Sequence, residues 1–233
     1  MIKNLKNIQL LLNLKKKNKI YEKNDFLISA SNKEAFNLIN RWPKWISRKL
    51  VLYGDTGLGK THLSNIWKKK TSALNLSLKK FQELKLNNCF LKNNTFIVEN
   101  ITKFFEEKDK KKKEKIEKKL LHFYNLIDEN KSYLLITSLV SPRSLNIILP
   151  DLKSRIMSSM SIKIKKPDDE LLSLVLIKLF SDKQILIDKK IIKFIVYRSE
   201  RSFSNLRMIV NKLDKKSLIT KKKINLSFVK ELI

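Results

Sequence analysis

The residues with the clearest capacity for chemistry lie between positions 54 and 61. The 233-residue chain contains only three glycines, and they are Gly54, Gly57 and Gly59. A chain that otherwise avoids glycine has gathered it where backbone must pass close to something. Gly54-Asp55-Thr56-Gly57-Leu58-Gly59-Lys60-Thr61 has the spacing of a phosphate-binding loop, G-x-x-x-x-G-K-T. In that reading the amides from Asp55 to His62, at the start of a helix, face an anion. Lys60 reaches the β- and γ-phosphates, and the Thr61 hydroxyl ligates magnesium. A fortuitous glycine turn is the competing explanation, and it requires neither the lysine nor the flanking strand and helix. The loop therefore predicts a nucleoside-phosphate site.

Two further stretches fit that chemistry. Thr95-Phe96-Ile97-Val98-Glu99-Asn100 is an apolar, β-branched run ending in a carboxylate, the form of a Walker B strand whose acid, Glu99, holds magnesium. Any buried strand followed by a polar loop has the same look, so its position after the phosphate loop carries the assignment. Tyr133–Ser138 is a second buried run with hydroxyls at its tip, where a polar group can touch the γ-phosphate or a water. Cysteine-based metal sites and internal disulfides are excluded, because Cys89 is the single cysteine. His62 and His122 are too isolated for a metal cluster.

The elements that must position these groups are legible from periodicity. Lys49–Tyr53 reads as a strand entering the loop, and Leu63, Ile66 and Trp67 recur at helical spacing after it. Ser31 is placed to cap a helix carrying Ala35, Leu38 and Ile39 that ends near Trp42-Pro43. Leu74–Leu78 reads as a strand and Lys79–Leu84 as a short helix. Lys103–Lys119, rich in Lys and Glu, reads as a solvated helix face or loop, with helical apolar spacing from Ile116. Asp151 is a candidate cap for a helix from Leu149, and Ile162–Ile164 alternates as a strand. From Pro167 to Ile219 the pattern is helical throughout, over 168–183, 188–197 and 202–219. The expected organisation is a basic segment over 1–24, a parallel α/β nucleotide domain over 25–166 and a small helical domain over 167–233.

The net charge is +29 and the isoelectric point about 10.1. Lysine accounts for it, with 44 Lys against 7 Arg spread along the chain. Such a balance predicts weak, non-specific contact with DNA or acidic proteins, and AT-rich coding produces it equally well. No apolar run has the length of a membrane span, and the N-terminus lacks the features of a signal peptide. The expected location is cytoplasmic. Gln9-Leu10-Leu11-Leu12-Asn13-Leu14 is an isolated apolar peptide among lysines, either a disordered tail or a docking segment.

The order of elements resembles that of the AAA+ ATPases: phosphate loop, Walker B strand, polar strand tip, an arginine before the fifth strand, helical lid. More closely, four stretches resemble the Hda family of DnaA-related regulatory inactivators. Gln9–Leu14 is similar to its clamp-binding motif QLxLxL, with Gln9, Leu10, Leu12 and Leu14 as anchors. Leu134–Thr137 with Pro142-Arg143-Ser144-Leu145-Asn146 resembles the sensor 1 region. Leu149-Pro150-Asp151-Leu152-Lys153-Ser154-Arg155 is similar to the arginine-finger segment, and Ser227–Glu231 to the closing segment. The resemblance implies an AAA+ P-loop fold with a parallel five-stranded sheet and an all-helical lid, binding ADP or ATP with magnesium. It implies docking on the β sliding clamp loaded on DNA and stimulated hydrolysis of the ATP held by the initiator DnaA, which prevents re-initiation. Thr137 is then sensor 1, Arg155 a finger acting in trans and Arg207 the lid arginine, and self-association is compatible with the family.

Three departures stand out. Glu99 replaces the usual aspartate, and Asn100 replaces the usual catalytic carboxylate, so intrinsic ATP hydrolysis should be weak. Ser204 occupies the expected position of the lid arginine, with Arg201 and Arg207 a turn to either side. No DNA-binding helix-turn-helix follows the lid pattern, which in this reading favours the regulator over a full initiator. The alternatives are a DNA-engaging P-loop ATPase, such as a helicase loader or a DnaA-like protein, and a nucleotide-gated adaptor that catalyses nothing.

Overall fold

The computed structural model describes residues 26–233. Five strands, β1 (Lys49–Tyr53), β2 (Leu74–Leu76), β3 (Thr95–Val98), β4 (Tyr133–Ser138) and β5 (Met160–Lys163), form one sheet in the order β2-β3-β4-β1-β5. Every pairing is parallel. Parallel strands need crossovers that cover both sheet faces, so the strands are apolar at successive residues rather than alternate ones. The two faces are read off directly. Val51, Phe96, Val98, Leu134 and Ile136 enter one core, with Ile116, Leu120, Phe123, Tyr124 and Ile127 of α5 (Lys110–Glu129) and Leu152 and Ile156 of α6 (Pro150–Ser158). Leu50, Leu52, Ile97, Leu135 and Ile162 enter the other, with Ala35 and Ile39 of α1 (Lys33–Asn40) and Leu63, Ile66 and Trp67 of α2 (Lys60–Thr71). Between β2 and β3 lie two short helices, α3 (Leu78–Glu83) and α4 (Leu86–Phe90).

After β5 no strand occurs among the described residues. Helices α7 (Asp169–Ser181), α8 (Lys189–Arg198), α9 (Phe203–Thr220) and α10 (Leu226–Lys230) enclose a separate core that includes Leu172, Leu176, Ile195, Leu206, Val210 and Phe228. Asp168, Asp188, Ser202 and Asn225 each cap one of them through a side-chain oxygen.

Several expected details differ. Asn32 rather than Ser31 takes the N-cap position of α1, and its amide bonds back to Ser29 N and Leu27 O instead of into the helix. The strand from Leu74 stops at Leu76 because Ser77 caps α3. Asp151 does not cap α6: Leu149 holds the cap position, and a carboxylate from α5, Glu117, supplies the hydrogen bonds. That same contact overturns the reading of 103–119 as a merely solvated face, since Lys113 and Glu117 are buried. A closing helix, α10, lies beyond the last helix expected. Among the described residues no helix is long and apolar enough to cross a membrane.

Candidate functional site

The sheet order brings the carboxyl ends of β1, β3 and β4 side by side, with the phosphate loop rising from β1 where the crossovers diverge. Leu52 pairs with Thr137 and Tyr53 with Ser138, so the β4 tip lies against the root of the loop. Gly54 N donates to Ser138 O at 3.3 Å. A side chain at Gly54 is ruled out by space, because a Cβ there would meet Ile164 O at 2.7 Å.

Thr56, Gly57, Gly59, Lys60, Thr61, His62, Glu99, Asn100, Thr137 and Arg207 all line one cleft of about 1210 Å³ between sheet and lid. The chain positions predicted from sequence to bind phosphate, hold magnesium and sense the ligand therefore converge. Phe26 and Leu27 extend the cleft, and Phe26 meets the edge of the His62 ring at a centroid distance of 5.2 Å. His122, by contrast, is exposed on α5. Asp55 and Leu58 contribute instead to an adjoining notch of about 890 Å³, with Arg201 and Ser204. The Leu58 side chain is also part of the core, so only its backbone faces the loop's interior chemistry.

Lys60 is almost fully covered, and its ammonium donates to Gly54 O at 2.6 Å and Asp55 O at 2.7 Å. Burial lowers its pKa from the ordinary lysine value, and the nearby Asp55 carboxylate opposes that shift. The lysine thus spans the mouth of the loop, held as a cation by two carbonyls. Glu99 accepts from Asn75 Nδ2 at 3.0 Å, which leaves its second oxygen for another partner. Thr61 and Glu99 share the cleft, and an exposed hydroxyl with a fixed carboxylate is a donor set that suits a hard divalent cation. Thr137 Oγ1 accepts from Asn100 N at 2.8 Å, which ties the β4 tip to the turn after β3. Asn100 itself has φ +50°, and its side-chain oxygen is buried without a hydrogen-bond partner.

The lid closes the site through backbone contact. Phe203 N donates to Gly57 O at 2.9 Å, and the rings of Phe203 and Phe26 approach Gly59. A Cβ at Gly57, whose φ is +78°, would fall 2.1 Å from Ser204 Oγ. Glycine is required there by conformation and by space. Of the two arginines flanking Ser204, Arg207 lines the cleft, while Arg201 lines the adjoining notch and pairs with Asp169 at 2.8 Å. Asn75, Phe26 and the Ser202–Ser204 contact were not singled out from sequence. Each acts through a partner distant in the chain, and only Asn75, a lone polar residue in an apolar strand, left a local trace.

Arg155 lies elsewhere. Its guanidinium is half-exposed on α6 and sits 3.7 Å from Asp128 Oδ2, while Asp128 also takes Lys49 Nζ at 2.5 Å. Lys49 opens β1, and the phosphate loop leaves the strand's other end. Arg155 thus belongs to the amino end of the sheet, roughly 13 Å along the strand from its own loop. Gln9, Leu10, Leu12 and Leu14 lie outside the described residues.

A parallel sheet of this order, a P-loop at its switch point and a helical lid in contact with that loop define an AAA+ module. Among solved structures the chain is similar to domain III of the Thermotoga maritima replication initiation protein DnaA, at a TM-score of 0.76 and 20% identity, covering 91% of this chain and 95% of that one. AMPPCP-bound DnaA from Aquifex aeolicus superposes at a TM-score of 0.70 and 14% identity over 87% of this chain and 66% of the other. In sequence, the chromosomal replication initiator protein DnaA of Borreliella burgdorferi is 30% identical over 92% of this chain and 47% of its own length. That of Buchnera aphidicola subsp. Cinara cedri is 27% identical over 98% and 55%. The chain spans about half the length of these curated relatives. Residues 170–233 match the family model of the Hda lid domain. The chain thus has the AAA+ fold with a lid that matches the Hda lid model, and in sequence it is similar to DnaA.

Proposed function

We propose that this protein is a regulatory inactivator of the replication initiator. It binds ADP or ATP with magnesium in the cleft, docks on the DNA-loaded β sliding clamp and stimulates hydrolysis of the ATP held by DnaA. The observation that carries this reading is the placement of Arg155. An arginine on the helix before β5, half-exposed and remote from its own phosphate loop, is available to another protein's nucleotide. The Hda lid match supports the regulator over other DnaA-related proteins. A guanidinium stays charged and grips two phosphate oxygens at once, which suits the neutralisation of charge building on a γ-phosphate.

Within the cleft, the loop amides, Lys60 and Arg207 bind and orient the nucleotide. Thr61 and Glu99 hold magnesium, which neutralises phosphate charge when bound. Asn100 stands where a base is needed, and an amide accepts no proton from water. The protein alone should therefore turn over ATP far more slowly than about one per second, a modest enzyme rate. Single-turnover hydrolysis by the isolated protein measures this. Docking is assigned to Gln9, Leu10, Leu12 and Leu14. Replacing Gln9, Leu12 and Leu14 with alanine should abolish clamp binding while leaving nucleotide affinity and melting temperature unchanged.

The test of the whole reading is hydrolysis of DnaA-bound ATP, followed with and without this protein and with and without DNA-loaded clamp. Stimulation only when both are present is expected. Equal release in all mixtures would remove the regulator from consideration.

A further inference from the structure

Glu117 is an ionisable side chain with no part in the cleft, and it is fully buried, at 0% exposure. It sits near the end of the lysine-rich run on α5, at a position whose composition predicts solvent. Its carboxylate accepts from Ile148 N at 3.0 Å and from Leu149 N at 2.8 Å, both through Oε2, with Oε1 at 3.1 Å from Ile148 N. These two amides lead directly into α6, the helix that carries Arg155.

That helix has no cap of its own. Leu149 occupies the cap position and has no acceptor, and Pro150 follows it in the first turn. Glu117 therefore does from another helix what a cap residue ordinarily does locally, and its charge faces the positive end of the helix dipole. Burying a carboxylate carries a desolvation penalty that an apolar side chain of similar volume avoids. What the carboxylate provides instead is direction, because two backbone donors converging on one group fix where α6 begins. Between the β4 tip and α6 the chain is otherwise tied by Leu139 N to Thr102 Oγ1 at 3.1 Å, close to the tip, and by the apolar burial of Pro142, Leu145 and Ile147, which is non-directional. Arg155 follows Leu149 by about one and two-thirds turns, so the start of the helix sets where the guanidinium lies.

We propose that Glu117 is a positioning residue for Arg155, holding the α6 terminus so that the guanidinium meets the partner's nucleotide; this rests on the finger reading above. Displacement of a catalytic group by about 1 Å costs on the order of a hundredfold in rate.

The experiment uses the full chain with DNA-loaded clamp and ATP-bound DnaA. Glu117→Ala should lower the maximal rate of stimulated hydrolysis by about a hundredfold, as displacement of the finger predicts. The concentration giving half-maximal stimulation and the affinity for ADP should not change. Glu117→Gln keeps the shape but turns one of the two acceptor oxygens into a donor facing the Ile148 amide. It should lose part of the stimulated rate, with faster exchange at Ile148 and unchanged ADP affinity. If the alanine variant does not fold, full stimulation by Glu117→Gln overturns the proposal. Hydrogen exchange at Ile148 and Leu149 should accelerate in Glu117→Ala. Combined with Arg155→Ala, Glu117→Ala should add no further loss, since both act through one group. Full stimulation by Glu117→Ala, or a parallel fall in ADP affinity, overturns the proposal while leaving the finger intact. Unchanged stimulation by Arg155→Ala alone overturns the finger and this proposal with it.

Discussion

At the scale of single residues, two cations divide the work by their surroundings. Lys60 is buried and held by loop carbonyls, and burial pulls its pKa below the ordinary lysine value. A bound phosphate favours the ammonium and raises that pKa again. Affinity is therefore complete below the pKa of the free protein's Lys60. It is lost as pH rises through that value, at a lower pH than an exposed lysine would give. Calorimetry in buffers of different ionisation enthalpy should show proton uptake on ADP binding, setting in at a lower pH than the ordinary lysine value would give. Lys60→Ala should abolish both uptake and binding, and equal affinity in the variant would remove the loop assignment. Arg155 is half-exposed and only loosely engaged by Asp128. Arg155→Ala should keep nucleotide binding, clamp docking and stability, yet reduce stimulated hydrolysis by roughly 10³–10⁵, the range of finger contributions. Arg155→Lys should restore little, since an ammonium cannot form the two-pronged contact.

At the scale of elements, stability and function separate cleanly. The α5 face against the sheet is aromatic: Phe123 touches Phe81, Phe90 and Phe96 at centroid distances of 5.5, 5.7 and 5.4 Å. Phe123→Ala should cost about 3–5 kcal/mol of unfolding free energy by denaturant titration, through lost burial and a cavity. The contact between the α9 terminus and the phosphate loop behaves differently. Gly57→Ala forces a methyl group into Ser204 and Ser202, so the lid must move away. We expect a small change in melting temperature and a large loss of ADP affinity, with faster hydrogen exchange at Phe203. Unchanged exchange there would mean the loop yields instead of the lid.

For the whole molecule, charge and shape set different kinds of partner. A net charge of +29 gives attraction to any polyanion. Such attraction falls steeply with salt because it rests on counterion release. Binding of this protein to a bare duplex should collapse between low and physiological salt. If the proposed function holds, clamp-dependent stimulation of DnaA should persist there, because apolar anchors and a positioned arginine are little affected by salt. Loss of both in parallel would favour a protein that acts on DNA directly.

The sequence by itself determined the phosphate-loop geometry and the layered core. A phosphate loop makes local demands on backbone, and a chain with three glycines displays them openly. Buried parallel strands and amphipathic helices likewise write their environment into short-range patterns, which is why β1, β3, β4 and the lid helices were legible. The tertiary structure alone decided the rest. It placed Arg207 rather than Arg201 in the cleft, seated Ser204 on Gly57 and joined Asn75 to Glu99 across adjacent strands. It also buried Glu117 beneath α6, inside a run whose composition points to water. These pairings join residues separated by many positions, and they depend on how helices and strands pack. Periodicity gives each element its buried face, but it does not say which partner that face will meet.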